Sequence, residues 1–161
     1  MEFWDIYDEN KKPTGRTMKR NDWCLKDGEY HLTVLGVIGR PDGTFLITKR
    51  VMTKAWAPGW WEVSGGAAQA GEESYEAVLR EVKEETGLDV NHITYFGNQP
   101  WPYPSGLMVG FIADYAGGEI KLQEEELSSG DFYTRDNLPE LPRKLSLARK
   151  MIDWWLECSH K

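Results

Sequence analysis

The chain has 161 residues, of which 40% are hydrophobic and 28% charged, and these values are typical of one globular domain rather than of a disordered protein. Its 19 basic and 26 acidic residues give a net charge of −7, which disfavours non-specific binding to nucleic acid or to an anionic membrane. No apolar run approaches the roughly 20 residues of a membrane helix, and two cysteines are too few for a disulfide scaffold. We therefore expect a cytoplasmic protein with no membrane partner, and binding to nucleic acid is not expected.

The chain shows no internal repeat, so the sequence predicts one domain over residues 1–161. Within it we expect an N-terminal extension or edge strand over 1–30 and a core over 31–158. Apolar residues alternate in the short stretch 4–7, which predicts that edge strand. Residues 11–15 contain proline and glycine and predict a turn.

The core contains alternating signals for strands and helices. Apolar or β-branched stretches predict strands at 31–39, 44–50, 60–63, 92–97 and 107–115. Amphipathic stretches predict helices at 73–86 and 143–157, with Gly87 placed to end the first. The proline-rich stretch 100–104 cannot be a helix or a central strand. This order predicts an α/β domain with a mixed sheet.

The first predicted helix carries three glutamates on one face. Glu81, Glu84 and Glu85 are spaced i, i+3 and i+4, so their carboxylates project from neighbouring positions. A hard divalent cation would reverse the repulsion among them. Arg80 precedes the group and is expected to pair with Glu76 or Glu84. Taken alone, this pattern is more often a solvated acidic face.

The residues around these glutamates complete a longer pattern. From Gly66 to Leu88 the chain reads GAAQAGEESYEAVLREVKEETGL, and nine of its positions match the complete Nudix box, which the segment resembles. The resemblance implies an α/β/α sandwich with a mixed sheet and a loop–helix–loop that binds Mg²⁺ or Mn²⁺. It also implies hydrolysis of a pyrophosphate bond in a nucleoside diphosphate linked to another group, and hence a small-molecule nucleotide as substrate.

The resemblance assigns roles by position. The metal ligands that it implies are Glu81, Glu84, Glu85 and a backbone carbonyl of Gly65 or Gly66. Glu72 and Arg80 are implied as supports that orient the loop and the ligands. The predicted catalytic residues are accordingly Arg80, Glu81, Glu84 and Glu85. Such a site suits the reaction, because water attack on a pyrophosphate builds negative charge that metal ions stabilise.

A second segment, residues 98–106, reads NQPWPYPSG and is similar to the SQPWPFPxS signature of the NADH pyrophosphatase branch of the same family. Rigid aromatic residues beside a phosphate site can stack on adenine or nicotinamide, which makes NAD(H) or a similar dinucleotide the first candidate substrate. The predicted substrate-binding residues are Gln99, Trp101, Tyr103 and Ser105. The simpler alternative is a stiff loop whose aromatic residues pack against the core edge.

The acidic run 124–126 relates to a departure from that branch. The branch places a further metal-binding glutamate where this chain has Ser129, and a residue of the run is a candidate replacement. Ser129 also motivates one alternative function, a nucleotide-binding module with weak catalysis.

A different resemblance gives another alternative function, an isomerase. Residues 2–16 and 56–61 are similar to the Nudix subgroup related to isopentenyl-diphosphate isomerase, whose catalytic cysteine would follow the second of these stretches. Here Glu62, Val63 and Ser64 occupy the nearby positions, and a serine hydroxyl is too weak an acid for that proton transfer. We therefore rank the hydrolase first. Separately, Trp154 and Trp155 cannot both face the core, so one of them is a candidate homodimer contact.

Overall fold

The computed structural model describes residues 2–19, 25–26, 28–53, 58–101, 106–142 and 146–158, without the side chains of residues 100, 101 and 158. The strands in these ranges are β1 (Phe3–Tyr7), β2 (Pro13–Lys19), β3 (His31–Gly39), β4 (Phe45–Arg50), β5 (Trp61–Glu62), β6 (Ser64–Ala67), β7 (Asp89–Trp101), β8 (Gly106–Gly117) and β9 (Leu127–Tyr133). The helices are α1 (Ser74–Thr86) and α2 (Leu147–Cys158), with a 3₁₀ turn at Arg135–Asn137.

The strands form two sheets. β1 and β2 pair as an antiparallel hairpin, and the other seven strands form one mixed sheet with the order β5-β4-β3-β8-β7. In this sheet β6 also pairs with β3, and β9 with β4. The β3–β8 pair is parallel, while the remaining pairs are antiparallel. Eight of the nine residues of β3 are buried, as expected for a central strand covered on both faces.

The two helices cover opposite faces of the larger sheet. Side chains of α1 pack with one set of β3 and β8 residues, including Val34 and Phe111. Side chains of α2 pack with a second set, including Leu35 and Val37. Because neighbouring residues of a strand point to opposite faces, β3 contributes to both cores. The predicted α/β fold with an α/β/α arrangement and a mixed sheet is therefore confirmed.

Most predicted elements are present, with three differences. β7 runs to Trp101 and so includes Pro100, which is tolerated because β7 is the edge strand. Residues 102–105 lie outside the described residues. α2 begins at Leu147 rather than at 143, and residues 143–145 also lie outside the description.

The third difference is the position of the first turn, because the prediction of a turn at 11–15 is wrong. The turn lies at residues 8–12, where the carboxylate of Asp8 accepts hydrogen bonds from the backbone N–H groups of Asn10 and Lys12. Lys11 adopts a φ of 65° there. β2 therefore begins already at Pro13 and pairs with β1, which the sequence analysis did not predict.

Neither described helix is long and apolar enough to cross a membrane.

Candidate functional site

The helix α1 is defined at both ends by residues of the box. Glu73 caps its N-terminus, where the Glu73 and Glu76 side chains each accept a hydrogen bond from the other residue's backbone N–H in a capping box. Gly87 ends it with a φ of 76°, a left-handed conformation that glycine adopts without strain. Between them Val78 and Val82 are buried against the sheet. This anchoring fixes the rotation of the helix and thus the direction of its acidic side chains.

Glu85 reaches from α1 to the strand β6. Its Oε2 accepts a hydrogen bond from the Ser64 hydroxyl over 3.1 Å and one from the Gly65 backbone N–H over 3.4 Å. Burial, and secondly the negative charge of Glu81, raises the pKa of Glu85 to about 8. The carboxylate is therefore held in a place that disfavours its charge, which a bound cation would offset.

Glu81 lies against the backbone of Gly66. A Cβ atom added at Gly66 would lie 2.5 Å from Glu81 Oε2, so only glycine leaves room for the carboxylate in this position. Burial also raises the pKa of Glu81, although the Arg80 guanidinium acts in the opposite direction. Two half-buried carboxylates thus flank the Ser64–Gly66 segment.

Arg80 connects the loop before α1 to the acidic face of the helix. Its Nε and Nη2 donate to the two oxygens of Glu72 over 2.8 and 2.9 Å, and Nη2 also donates to the Ala67 carbonyl over 3.2 Å. Its Nη1 donates to Glu81 and to Glu84, each over 3.0 Å. The hydrogen bonds that Arg80 donates to Glu72 lower the pKa of Glu72. The guanidinium therefore holds the loop and two of the predicted ligands in one network.

The prediction that Arg80 pairs with Glu76 or Glu84 is confirmed, and of the two the structure has Glu84. The Glu76 carboxylate accepts instead from the backbone N–H of Glu73 in the capping box. Local capping of the helix thus takes the side chain that the spacing alone offered to the arginine.

The carboxylates of Glu81 and Glu85 fit a hard divalent cation, because they are half-buried oxygen donors beside close-packed backbone, and a bound cation would favour their charged form. Glu84 directs one oxygen to Arg80. Within the described ranges, no group of three or more His, Cys, Asp or Glu side chains is arranged to hold a metal ion by itself. The structure thus brings the predicted residues Arg80, Glu81, Glu84 and Glu85 together, with the guanidinium as the bridge.

The N-terminal hairpin supports the same loop, which the sequence analysis did not predict. The Phe3 carbonyl accepts from the Ala70 backbone N–H over 2.7 Å, and Asp5 Oδ2 accepts from the Gly71 backbone N–H over 2.9 Å. Ala70 and Gly71, in the loop that precedes α1, are thereby tied to β1. Contacts between residues 66 positions apart leave no periodic pattern in the sequence.

The predicted substrate-binding residues lie farther along the sheet. Gln99 lies on β7 opposite Met108 and is half-buried. β7 is the third strand from β6 through β3 and β8, about 14 Å away at the usual strand spacing. The backbone of Trp101 pairs with Gly106. The Trp101 side chain, Tyr103 and Ser105 lie outside the described part of the chain, so their roles remain predictions.

The acidic run 124–126 follows a segment that is bonded to the end of α1. The Gln123 backbone N–H donates to the Glu85 carbonyl over 2.8 Å. The negative charge of Glu126 contributes to the raised pKa of Glu85. Ser129 lies on β9 opposite Lys49. The charge of Glu126, one of the three acidic candidates, therefore acts on the site.

The site thus consists of the loop before α1, the capped acidic helix α1, and the carboxylates of Glu81 and Glu85 beside Ser64–Gly66. Together with the α/β/α fold, these features define a Nudix-type protein. The NUDIX domain family matches residues 29–155, so the chain belongs to this family.

Relatives with curated names share much of the sequence. NAD-capped RNA hydrolase NudC from Stutzerimonas stutzeri is 44% identical over 146 residues, which cover 88% of this chain and 51% of that protein. NAD-capped RNA hydrolase NudC from Actinobacillus succinogenes is 47% identical over 105 residues, which cover 65% of this chain and 40% of that protein. The chain thus spans about half, or less, of the length of these relatives.

Solved structures share the fold at lower identity. DR0079 from Deinococcus radiodurans superposes with a TM-score of 0.66 at 22% identity, covering 84% of this chain and 85% of that one. The MutT NUDIX hydrolase from Burkholderia pseudomallei superposes with a TM-score of 0.65 at 24% identity, covering 79% and 95%. These likenesses show the fold alone.

Proposed function

We propose that this protein hydrolyses the pyrophosphate bond of NAD(H) or a similar dinucleotide, giving mononucleotides, with the aid of Mg²⁺ or Mn²⁺. The observation that carries the proposal is the half-buried carboxylate pair of Glu81 and Glu85 beside Ser64–Gly66. A dinucleotide brings two phosphate charges to a protein of charge −7, so cations are needed to bring substrate and site together.

The residues proposed to hold the metal are Glu81 and Glu85, with Glu84 and the Gly66 carbonyl as further ligands. When bound, the metal supplies Lewis-acid stabilisation of phosphoryl charge and lowers the pKa of a water molecule. The chain's own contribution is positional. Arg80 holds Glu81 and Glu84 by hydrogen bonds, and Ser64 holds Glu85, so the ligands need little reorganisation.

The choice of dinucleotide rests on two supports. The segment 98–106 resembles the NADH pyrophosphatase signature, and the matched relatives are named NAD-capped RNA hydrolases. Both point to an NAD moiety. The expectation that nucleic acid is not a partner stays a prediction, and NAD-capped RNA belongs among the substrates tested.

The test is a substrate screen with Mg²⁺ or Mn²⁺ and with products identified by mass. It includes NADH, NAD⁺, NAD-capped RNA, ADP-ribose, dinucleoside polyphosphates and nucleoside triphosphates, each compared with the Glu85→Gln variant. We expect NMN-type and AMP products from the dinucleotides, and loss of turnover without metal. Preferential cleavage of the triphosphates would contradict the dinucleotide assignment. Binding without any turnover would favour the alternative of a catalytically weak module.

The isomerase alternative is not favoured. Ser64, in the region where an isomerase cysteine would lie, donates its hydroxyl hydrogen bond to Glu85 and is fully buried. Its proton is thus used inside the carboxylate network, and the matched relatives are named hydrolases.

A homodimer through α2 is also proposed, and its support is the exposure of one tryptophan. Trp155 packs near Phe45 and its indole N–H donates to the Gly43 carbonyl, whereas Trp154 is 40% exposed. The mass in solution of wild type and Trp154→Ala tests this contact.

A further inference from the structure

A cavity of about 190 Å³ lies beside β5, and none of the residues that line it belongs to the carboxylate site. Among the described residues it is lined by Gly59, Trp60, Trp61, Glu140, Leu141 and Pro142. Sites that enclose drug-sized ligands usually measure about 300–1,000 Å³. This cavity therefore suits a single planar ring rather than a whole dinucleotide.

One wall of this cavity, Trp61, is fixed in position. The Lys49 ammonium lies 5.4 Å from the centre of its ring, and Tyr133 packs against it edge-to-face at 6.1 Å and 87°. The indole also packs on the core beneath α2. Because these contacts hold the ring before any ligand arrives, stacking on it costs little conformational entropy.

The other tryptophan, Trp60, is 39% exposed, which is high for such a large apolar side chain. Leu141 and Pro142 lie on the same cavity and offer further apolar surface. Flat aromatic and proline surfaces of this kind suit a heterocycle that binds by stacking.

The cavity lies close to the carboxylate site along the chain. Trp61 precedes Ser64 by three residues, so their Cα atoms are at most about 11 Å apart. Ser64 in turn contacts Glu85. Trp61 packs on the α2 side of the sheet and Ser64 faces α1, so a nucleotide that uses both sites would pass the sheet edge at β5.

Among the described residues that line the cavity, Glu140 is the acidic one, and it favours a ring that donates hydrogen bonds. Glu140 offers carboxylate oxygens, which accept hydrogen bonds and repel other acceptors. We propose that this cavity binds the amino-bearing heterocycle at one end of the nucleotide substrate, with Trp60 and Trp61 stacking on the ring and Glu140 accepting from its NH₂ group. This assignment rests on the proposed function and names the binding site for one end of its substrate.

Two ends of a dinucleotide carry this chemistry, the 6-amino group of adenine and the carboxamide of nicotinamide. The experiment measures binding of AMP, IMP and NMN to the full chain by calorimetry. IMP differs from AMP only at the ring edge, where an oxygen acceptor replaces the 6-amino donor and an N–H donor replaces the acceptor at N1. We expect AMP to bind about tenfold more tightly than IMP if adenine is the ring, and NMN to bind more tightly than AMP if nicotinamide is the ring.

Three variants test the residues. Trp60→Ala should weaken binding of the preferred mononucleotide about fivefold or more, the loss typical of one stacked base, whereas Trp60→Phe should retain it. Trp154→Ala removes a tryptophan of nearly equal exposure outside the cavity and is the matched control. Glu140→Gln should abolish the preference for AMP over IMP, because an amide can donate as well as accept.

The proposal is overturned if no mononucleotide binds, if Trp60→Ala binds as tightly as wild type, or if Trp154→Ala weakens binding equally. Hydrolysis measured in parallel separates the two claims. Turnover of a dinucleotide without binding in the cavity removes this inference and leaves the proposed function. Binding in the cavity without turnover of any dinucleotide removes the proposed function and leaves the cavity as a binding site for the ring.

Discussion

The hydroxyl of Ser64 donates a hydrogen bond over 3.1 Å to Oε2 of Glu85, and this contact joins β6 to the acidic face of α1. It also orients a carboxylate whose burial disfavours ionisation. A carboxylate with a raised pKa beside other titratable groups is a candidate for a functional site. The contact is therefore a direct structural link between the sheet and the proposed metal site.

Replacing Glu85 by glutamine should lower kcat about 100-fold or more, because the proposed metal ligand loses its charge while its shape is kept. The Ser64 hydroxyl can still donate to the amide oxygen, so the melting temperature should change little. The measurement is steady-state hydrolysis of the substrate found in the screen, together with thermal unfolding. Glu157→Gln, on an exposed position of α2, is the control. Undiminished turnover in Glu85→Gln would falsify the assignment of this residue.

Gly66→Ala should reduce activity about 10- to 100-fold without unfolding the protein. The added methyl group would lie 2.5 Å from Glu81 Oε2, so the carboxylate must move away from its place beside the loop. Titration with Mn²⁺ should show weaker binding in the same variant. Gly97→Ala is a suitable comparison, since a Cβ there meets no atom within 4 Å. Equal activity of the two alanine variants would show that the close approach at Gly66 has no role.

Arg80→Lys tests the network that orients the loop. Lysine cannot make the two parallel bonds to Glu72 and also reach Glu81 and Glu84, so we expect a loss of stability of about 1–2 kcal/mol and a reduced kcat. Arg149→Lys is the matched control, because Arg149 has the same 21% exposure and pairs with Asp153 on α2. Urea unfolding and hydrolysis should separate the two variants. If both lose the same stability and neither loses activity, Arg80 has no positioning role.

The helix α1 and its cap could be predicted from the sequence because their causes are local. The spacing of Val78 and Val82, the glycine at 87 and the spacing of Glu81 to Glu85 all lie within a few turns of one helix. The network of Arg80 was only partly predictable. Its bond to Glu84 follows from i, i+4 spacing, but the bidentate pair with Glu72 depends on how the preceding loop folds back.

The support of the loop by β1 and the cavity beside β5 could not be predicted. Asp5 meets Gly71 only because the hairpin folds across the loop, and Trp61 meets Leu141 only when the chain after β9 returns to β5. Such contacts depend on tertiary packing, and neither propensity nor periodicity encodes which partners meet.

His31 should make the stability of the protein depend on pH. It is buried at the start of β3 and stacks on Trp4 with ring centres 4.7 Å apart. Burial lowers its pKa to about 4, from an ordinary value near 6.5. The unfolded chain therefore takes up a proton at a higher pH than the folded protein. The contribution of this group to stability is fully present above pH 6.5 and is lost as the pH falls from 6.5 through about 4.

The difference in pKa corresponds to about 3 kcal/mol at the acidic end of that range. Urea unfolding of the wild type at pH 7, 5.5 and 4.5 should show this decline. His31→Gln cannot take up the proton, so its free energy of unfolding should change less between pH 7 and 4.5, even if it starts lower. His92→Gln removes an exposed histidine from β7 and should keep the wild-type slope. If His31→Gln declines as steeply as the wild type, other groups cause the acid sensitivity and the buried imidazole does not.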